Sequence, residues 1–169
     1  MIYVCSLADM PRCAAKLQPS HLVSLVAPDE MPETPYGLHN SRHLRIACHD
    51  IVEPIDGHIA PDIAHLRSLI SFAGRWDRRA PMLIHCVAGV SRSMAAALVV
   101  SALLADGHER ELAQCLRERA PHANPNRRII ALADQVLGRQ GRFIAAVESM
   151  GPGEPVETGV LVELPQIHA

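Results

Sequence analysis

Four short apolar runs punctuate the chain, and each is typical of a strand that is buried on both faces. They cover residues 2–7, 21–27, 44–49 and 82–86, and none alternates cleanly between apolar and polar positions. Strands covered on both sides of a parallel sheet have this continuous apolar character, whereas half-exposed strands alternate. The pattern therefore predicts four strands of one buried sheet.

Helical patterns fill the intervals between these runs. Residues 61–76 are amphipathic, and residues 93–105 are apolar nearly all round, which predicts a central buried helix. Three further helices are predicted over residues 9–17, 109–119 and 126–137. Because strands that alternate with helices favour parallel pairing, we expect a single α/β domain. Its core would be a mostly parallel sheet of four to five strands flanked by helices.

The chain changes character after residue 150. The run Gly151-Pro152-Gly153-Glu154-Pro155 is rich in turn-forming residues and resembles a linker. We therefore divide the chain into a domain of residues 1–150 and a C-terminal tail of residues 151–169. Residues 160–164 are apolar enough to add a strand to a sheet edge or to a partner chain, but a frayed terminus is the expectation.

The most specific feature follows the fourth predicted strand and opens the central helix. It is the run His85-Cys86-Val87-Ala88-Gly89-Val90-Ser91-Arg92-Ser93. A loop that curls over a helix N-terminus presents free N–H groups and the positive end of the helix dipole to an anion. Glycine at its centre permits a positive φ. We expect the small residues between the cysteine and the arginine to form an anion-binding nest: Val87, Ala88, Gly89, Val90 and Ser91.

Cys86 and Arg92 give this loop its predicted chemistry. The guanidinium matches two phosphate oxygens at once, and the same positive field favours a cysteine thiolate. We expect Cys86 to attack phosphorus and form a cysteinyl-phosphate that water later hydrolyses. The hydroxyl of Ser93 would donate to the departing thiolate. His85 is expected to orient the loop rather than to act as a base.

Cleavage of a phosphate ester also needs an acid that protonates the leaving oxygen. Asp50 leaves the carboxyl end of the third predicted strand, where ligands collect in open α/β sheets, and is the preferred acid. Asp56 lies at a predicted turn tip and remains the alternative. Asp62 stands at a predicted helix start, where a carboxylate satisfies free amides, and Glu53 is the weakest candidate.

These residues resemble the cysteine-dependent protein tyrosine phosphatases. The run from His85 to Ser93 matches the family signature His-Cys-x5-Arg-Ser and looks most like the dual-specificity branch, including its bacterial members. The later run Ala123-Asn124-Pro125-Asn126 resembles the Ala-x-Pro-Asn element of that branch. The resemblance spans residues 2–137. It implies hydrolysis of phosphotyrosine, and of phosphoserine or phosphothreonine in the dual-specificity branch, without a cofactor. It also implies an acid on the loop after the third strand, which favours Asp50.

Other classes fit the motif less well. A sulfurtransferase does not need Arg92 and Ser93 in this register. Arsenate reductases and low-molecular-weight phosphatases place the loop near the N-terminus, whereas Cys86 is central. The alternative that remains is a phosphatase-fold module that binds phosphorylated partners with weak turnover, which would be favoured if no carboxylate faced the loop.

Composition and charge limit the classes of binding partner that we expect. A formal net charge of −2 argues against nucleic acid, and no apolar stretch is long enough to span a membrane. We expect a phosphorylated protein or a small phosphomonoester as substrate, because the loop has no additional cation. The oligomeric state is left open.

The five cysteines match neither a zinc pattern nor a disulfide framework, which favours a reducing, cytoplasmic location. Cys5 and Cys48 are expected to be buried on strands, and either is a candidate to form a reversible disulfide with Cys86. The ten histidines show no ligand spacing, so no metal site is expected.

Overall fold

Five strands form one sheet in the computed structural model, which describes residues 1–165. In chain order they are β1 (Ile2–Ser6), β2 (His21–Val26), β3 (His43–Ala47), β4 (Met82–Cys86) and β5 (Val162–Leu164). Their order across the sheet is β3-β2-β4-β1-β5, and only β5 runs antiparallel, against β1. The predicted α/β class, with a mostly parallel central sheet, is confirmed.

Six α-helices surround the sheet within the described part of the chain. They are α1 (Met10–Leu17), α2 (Ile63–Gly74), α3 (Arg92–Leu104), α4 (Glu109–Arg119), α5 (Arg127–Val136) and α6 (Arg142–Ser149). Two short 3-10 turns, Pro28–Glu30 and Asn40–Arg42, interrupt the long loop before β3. No helix in residues 1–165 has both the length and the apolar character that crossing a membrane requires.

Helix α6 was not predicted, because its start carries no local signal. Its N-cap position is Gly141, at a φ of 82°, with no side chain to bond the free amides. The carboxylate of Asp134 in α5 instead accepts from the N–H groups of Gly141 and Phe143, at 2.8 and 3.0 Å. The cap is therefore supplied by a neighbouring helix.

The sheet separates two hydrophobic clusters of unequal size. Successive residues of a strand point to opposite faces, so Val4 faces the larger cluster with α3, and Cys5 faces the smaller cluster with α1. Helix α3 is buried along most of its length and forms part of the larger cluster. β4 lies between β1 and β2 and leads directly into α3, which places their junction at the centre of the carboxyl edge of the sheet.

The C-terminal segment returns to the sheet. Residues Val162–Leu164 pair with β1, with Val162 and Leu164 buried and Glu163 exposed. The expectation of a frayed terminus is wrong for these residues. The backbone of β5 pairs with the edge of β1, which would otherwise be open, and its two inward apolar side chains are buried. Residues 166–169 of the predicted tail lie outside the described residues. The division of the chain at residue 150 stays a prediction.

Truncation of Phe143 to alanine is expected to lower the free energy of unfolding by about 3–5 kcal/mol, because its fully buried ring would leave a cavity. Denaturant unfolding followed by circular dichroism measures this loss. Phe143→Leu, which keeps most of the volume, should lose clearly less. Equal stability of the alanine variant and the wild type would show that α6 does not pack on the core.

Candidate active site

The junction between β4 and α3 forms a tight loop, called here the signature loop (residues 86–92). Cys86 ends β4 and is 1% exposed, while Arg92 begins α3 and is 5% exposed. The Oγ of Ser93, in the first turn of the helix, lies 3.0 Å from the Sγ of Cys86. The loop thus brings together a buried thiol, a hydroxyl and a guanidinium at the N-terminus of a helix.

Four carbonyl groups of the signature loop point outward, each bonded to a backbone N–H from elsewhere in the chain. Named with the N–H donor first, the pairs are Leu7 to Val87 at 3.0 Å, Gly159 to Ala88 at 2.8 Å, Asn124 to Val90 at 3.0 Å and Asn126 to Ser91 at 3.3 Å. In a trans peptide the N–H of the next residue points opposite to the carbonyl. Outward carbonyls therefore aim the following amides toward the centre of the loop, which is the arrangement of an anion-binding nest.

Gly89 is required by the close approach of β1 beneath the loop. Its φ is +72°, and a Cβ there would lie 2.8 Å from the carbonyl carbon of Cys5 and 2.9 Å from the nitrogen of Ser6. Both atoms belong to the backbone, so no side chain fits. The positive φ and the contact together explain why glycine occupies the middle of the loop.

The guanidinium of Arg92 is fixed at one end and free at the other. One terminal nitrogen donates to the carbonyl of Cys48 at 2.6 Å. The buried Nε has no hydrogen-bond partner among the described residues, and the nearest carboxylate, Asp50, lies 3.9 Å away. Because an unpaired buried donor is costly, this edge of the arginine is a site where an anion is stabilised.

Of the four candidate acids, the structure brings Asp50 against the signature loop. One carboxylate oxygen of Asp50 accepts from the hydroxyl of Ser91 and from the amide of Asn126, both at 2.7 Å. Asp56 is exposed in its turn, as is Glu53, and Asp62 caps α2 by accepting from the N–H of His65 at 2.8 Å. The helix-start role expected for Asp62 is confirmed.

Two residues at the start of α5 hold the loop that carries Asp50, and sequence reasoning did not assign them this role. The side-chain oxygen of Asn126 caps α5 by accepting from the N–H of Ile129, while its side-chain nitrogen donates to Asp50. Arg128 donates to the carbonyls of Pro61 at 2.6 Å and Val52 at 3.0 Å. The Ala-x-Pro-Asn element signalled Asn126, but no local pattern distinguishes Arg128 from a solvent-exposed arginine.

A buried row of polar side chains lies on the opposite face of the sheet from the thiol. His85 bonds the hydroxyl of Ser24 at 2.6 Å, Ser24 bonds His43 at 2.7 Å, and the other nitrogen of His43 lies 3.0 Å from the hydroxyl of Thr34. The row crosses β4, β2 and β3 in turn. It ties β4, the strand that ends in Cys86, to β2, and β2 to β3, by side-chain as well as backbone hydrogen bonds.

Burial keeps both histidines of this row neutral. The pKa of His85 is lowered to about 4, chiefly by burial and also by the charge of Arg92. The pKa of His43 is lowered to about 4 by burial, with smaller contributions from Arg45 and His85. Neutral imidazoles with fixed partners hold a single geometry across the physiological pH range.

Cys5 on β1 is a buried thiol, as expected from the sequence; Cys48 is buried as well but lies one residue beyond the end of β3 rather than on the strand. Burial raises the pKa of Cys48 to about 11 and also raises that of Cys5. All five cysteines are free. A disulfide between Cys86 and either of the two stays a prediction. Within residues 1–165 no group of three His, Cys, Asp or Glu side chains is placed to hold a metal ion.

The buried histidines should make the fold sensitive to acid. In the unfolded chain each titrates near the ordinary value of 6.5, so between pH 6.5 and about 4 the unfolded state binds more protons than the folded state. The contribution of these two histidines to the free energy of unfolding should therefore be fully present above pH 6.5 and be lost as the pH drops toward 4. Urea unfolding at stepped pH values measures this dependence.

A variant that cannot titrate serves as the control for this dependence. His43→Gln keeps a polar group beside Ser24 and should lose part of the acid sensitivity, because it removes one of the four histidines whose pKa is lowered, His21, His43, His85 and His122. The same pH slope in the variant and the wild type would contradict the assignment.

Comparison with known proteins identifies the fold. The sequence matches no protein-family model and no curated protein. Solved structures do match: Cydia pomonella PTP-2 phosphatase, at 21% identity and a TM-score of 0.60, covers 79% of this chain and 84% of its own. The human tyrosine phosphatase-like serine/threonine/tyrosine-interacting protein, at 16% identity and a TM-score of 0.65, covers 82% and 92%.

A third solved structure, PTPMT1 in complex with PI(5)P, has 15% identity and a TM-score of 0.57, and it covers 83% of this chain and 94% of its own. All three alignments include most of both chains, so the likeness concerns the whole domain. The chain therefore has the fold shared by the protein tyrosine and dual-specificity phosphatases.

Proposed function

We propose that this chain is a phosphatase that hydrolyses phosphomonoesters through a cysteinyl-phosphate intermediate. The observation that carries the proposal is the signature loop. There the buried thiol of Cys86 lies at a helix N-terminus, beneath inward-facing amides and beside the unpaired Nε of Arg92. A thiol, an anion nest and a fixed guanidinium at one point are what attack on a bound phosphate requires.

Binding precedes the chemistry. The dianion of the substrate would sit over the loop, accept hydrogen bonds from the inward amides, and meet the free edge of Arg92. Because the carbonyl of Cys48 already fixes the other end of the guanidinium, the arginine is oriented before the substrate arrives. The attacking species in this proposal is the thiolate form of Cys86.

Two displacement steps at phosphorus complete the reaction. In the first, the thiolate of Cys86 forms a bond to phosphorus, the bond to the ester oxygen breaks, and Asp50 gives its proton to that oxygen. In the second, Asp50 takes a proton from water, the resulting oxygen attacks phosphorus, and the phosphorus–sulfur bond breaks. The hydroxyl of Ser93, 3.0 Å from the sulfur, stabilises the departing thiolate, and inorganic phosphate is released.

Position supports Asp50 as the acid. It follows the carboxyl end of β3, and its carboxylate is held next to the loop by Ser91 and Asn126 through one oxygen. The second oxygen has no such bond and lies 3.9 Å from Arg92. That oxygen is the one we assign to carry the proton, and Asp56 remains the alternative acid.

The substrate that fits this loop best is a phosphorylated protein or a small aryl phosphate. The residues between Cys86 and Arg92 add no cation to bind further phosphate groups. PTPMT1, one of the structures with the same fold, was solved with PI(5)P, so a phosphoinositide is the second class to test. A reducing compartment such as the cytoplasm suits a thiolate nucleophile.

A binding module is the second candidate, and one contact favours it. An oxygen of Asp50 already accepts from two donors, which is a structural role that a catalytically weak phosphatase fold would retain. One matching structure is named a tyrosine phosphatase-like interacting protein. Such a module would capture a phosphorylated partner at the same loop and release it unchanged.

The wild type should hydrolyse para-nitrophenyl phosphate with a chelator present, and Cys86→Ser should lose about a thousandfold or more of that activity because the nucleophile is removed. Cys115→Ser is the matched control, since Cys115 lies on α4 away from the loop. Steady-state kinetics at several pH values measure both variants. An inert wild type that still binds vanadate would favour the binding module.

Asp50→Asn should lower kcat by about a hundredfold and flatten the alkaline limb of the pH profile, because the proton donor is lost. Asp56→Asn should leave both unchanged. Vanadate affinity, measured in parallel, reports whether Asp50→Asn merely distorts the loop. A flattened profile in Asp56→Asn alone would transfer the role to Asp56.

A further inference from the structure

The C-terminal segment (residues 151–164) passes along the signature loop on its way back to the sheet. Three contacts fix its path. The N–H of Glu154 donates to the carbonyl of Pro121 at 2.9 Å, the N–H of Gly159 donates to the carbonyl of Ala88 at 2.8 Å, and Val162–Leu164 pairs with β1. The middle contact is a direct bond to the loop that holds Cys86.

Close approach explains two of the three glycines of this segment, Gly153 and Gly159. A Cβ on Gly159 would lie 2.5 Å from the Nε2 of His122 and 2.9 Å from the carbonyl oxygen of Gly89. A Cβ on Gly153 would lie 2.6 Å from the carbonyl oxygen of Ala123. Neither glycine has a positive φ, so the need for glycine comes from contact rather than from backbone conformation.

The signature loop is consequently held from two directions. On one side the backbone of Cys5 and Ser6 in β1 touches Gly89. On the other side Gly159 bonds Ala88 and lies against the carbonyl of Gly89. Since β5 pairs with β1, the two supports belong to one hydrogen-bonded unit.

We infer that the C-terminal segment is part of the phosphate-binding machinery, with Gly159 as a positioning residue for the signature loop. This inference rests on the proposed function. By fixing the carbonyl of Ala88 outward, Gly159 aims the N–H of Gly89 toward the centre of the loop, where the phosphate would bind. A segment that the sequence marked as a tail thereby sets the orientation of one peptide of the anion nest.

The test compares Gly159→Ala with Gly74→Ala. Gly74 ends α2 with open space around its Cα, so it controls for a glycine-to-alanine change that meets no neighbour. Gly159→Ala should weaken vanadate binding and lower kcat/KM together by about ten- to hundredfold, because the added methyl displaces the loop. Gly74→Ala should change neither. A lower melting temperature with unchanged vanadate affinity in Gly159→Ala would overturn the inference.

A measurement on the wild type applies if Gly159→Ala does not fold. Vanadate should slow hydrogen exchange of the Gly159 amide as well as of the loop amides, because the bound anion stabilises the peptide to which Gly159 is bonded. Slowed exchange confined to residues 86–92 would refute the coupling. A wild type that binds no vanadate at all would instead refute the proposed function and this inference with it.

Discussion

Burial of the Arg92 guanidinium beside the amino end of α3 is the constraint on which the rest of the site depends. A cation that is 5% exposed, whose Nε has no hydrogen-bond partner within residues 1–165, lies next to amides that the helix itself cannot satisfy. This concentration of positive charge is unfavourable without an anion nearby. The nearest carboxyl group, that of Asp50, lies 3.9 Å from the Nε, and a bound phosphate would supply the anion. In the proposed reaction the same buried guanidinium that binds the phosphate lies beside the nucleophile, so substrate binding and attack share one site.

The remaining elements keep that charge in place. Carbonyl groups of the loop accept from N–H donors at Leu7, Gly159, Asn124 and Asn126, which come from three separate parts of the chain. The row from His85 through Ser24 to His43 joins β4 to β2, and β2 to β3, on the face away from the thiol. Rigid support of this kind matters because an anion nest works only when its amides converge before the ligand arrives.

Local patterns predicted most of the fold and the centre of the site. The apolar run of β4, the small residues after it and the apolar helix α3 place Cys86 and Arg92 on a strand–loop–helix junction, and the end of β3 points to Asp50. Features fixed by distant partners were missed or, for β5, predicted only as an alternative to a frayed terminus. Helix α6 is capped by Asp134 from α5, β5 is only three residues long and depends on the edge of β1, and Gly159 is explained by its contacts with Gly89 and His122. Neither β5 nor the contacts of Gly159 leave a periodic signal in their own segments, and α6, whose Phe143, Ala146 and Val147 do repeat at helical spacing, lacks a local start signal.

Direct trapping of the intermediate is the measurement that tests the central claim most plainly. Ser93→Ala should slow release of the thiolate, so a reaction quenched in acid during turnover of an aryl phosphate should contain phosphorylated enzyme. Mass spectrometry of the digested protein is predicted to find one phosphoryl group, attached to Cys86. Turnover of the substrate with no phosphoryl group on Cys86, or with the group on another residue, would contradict the account.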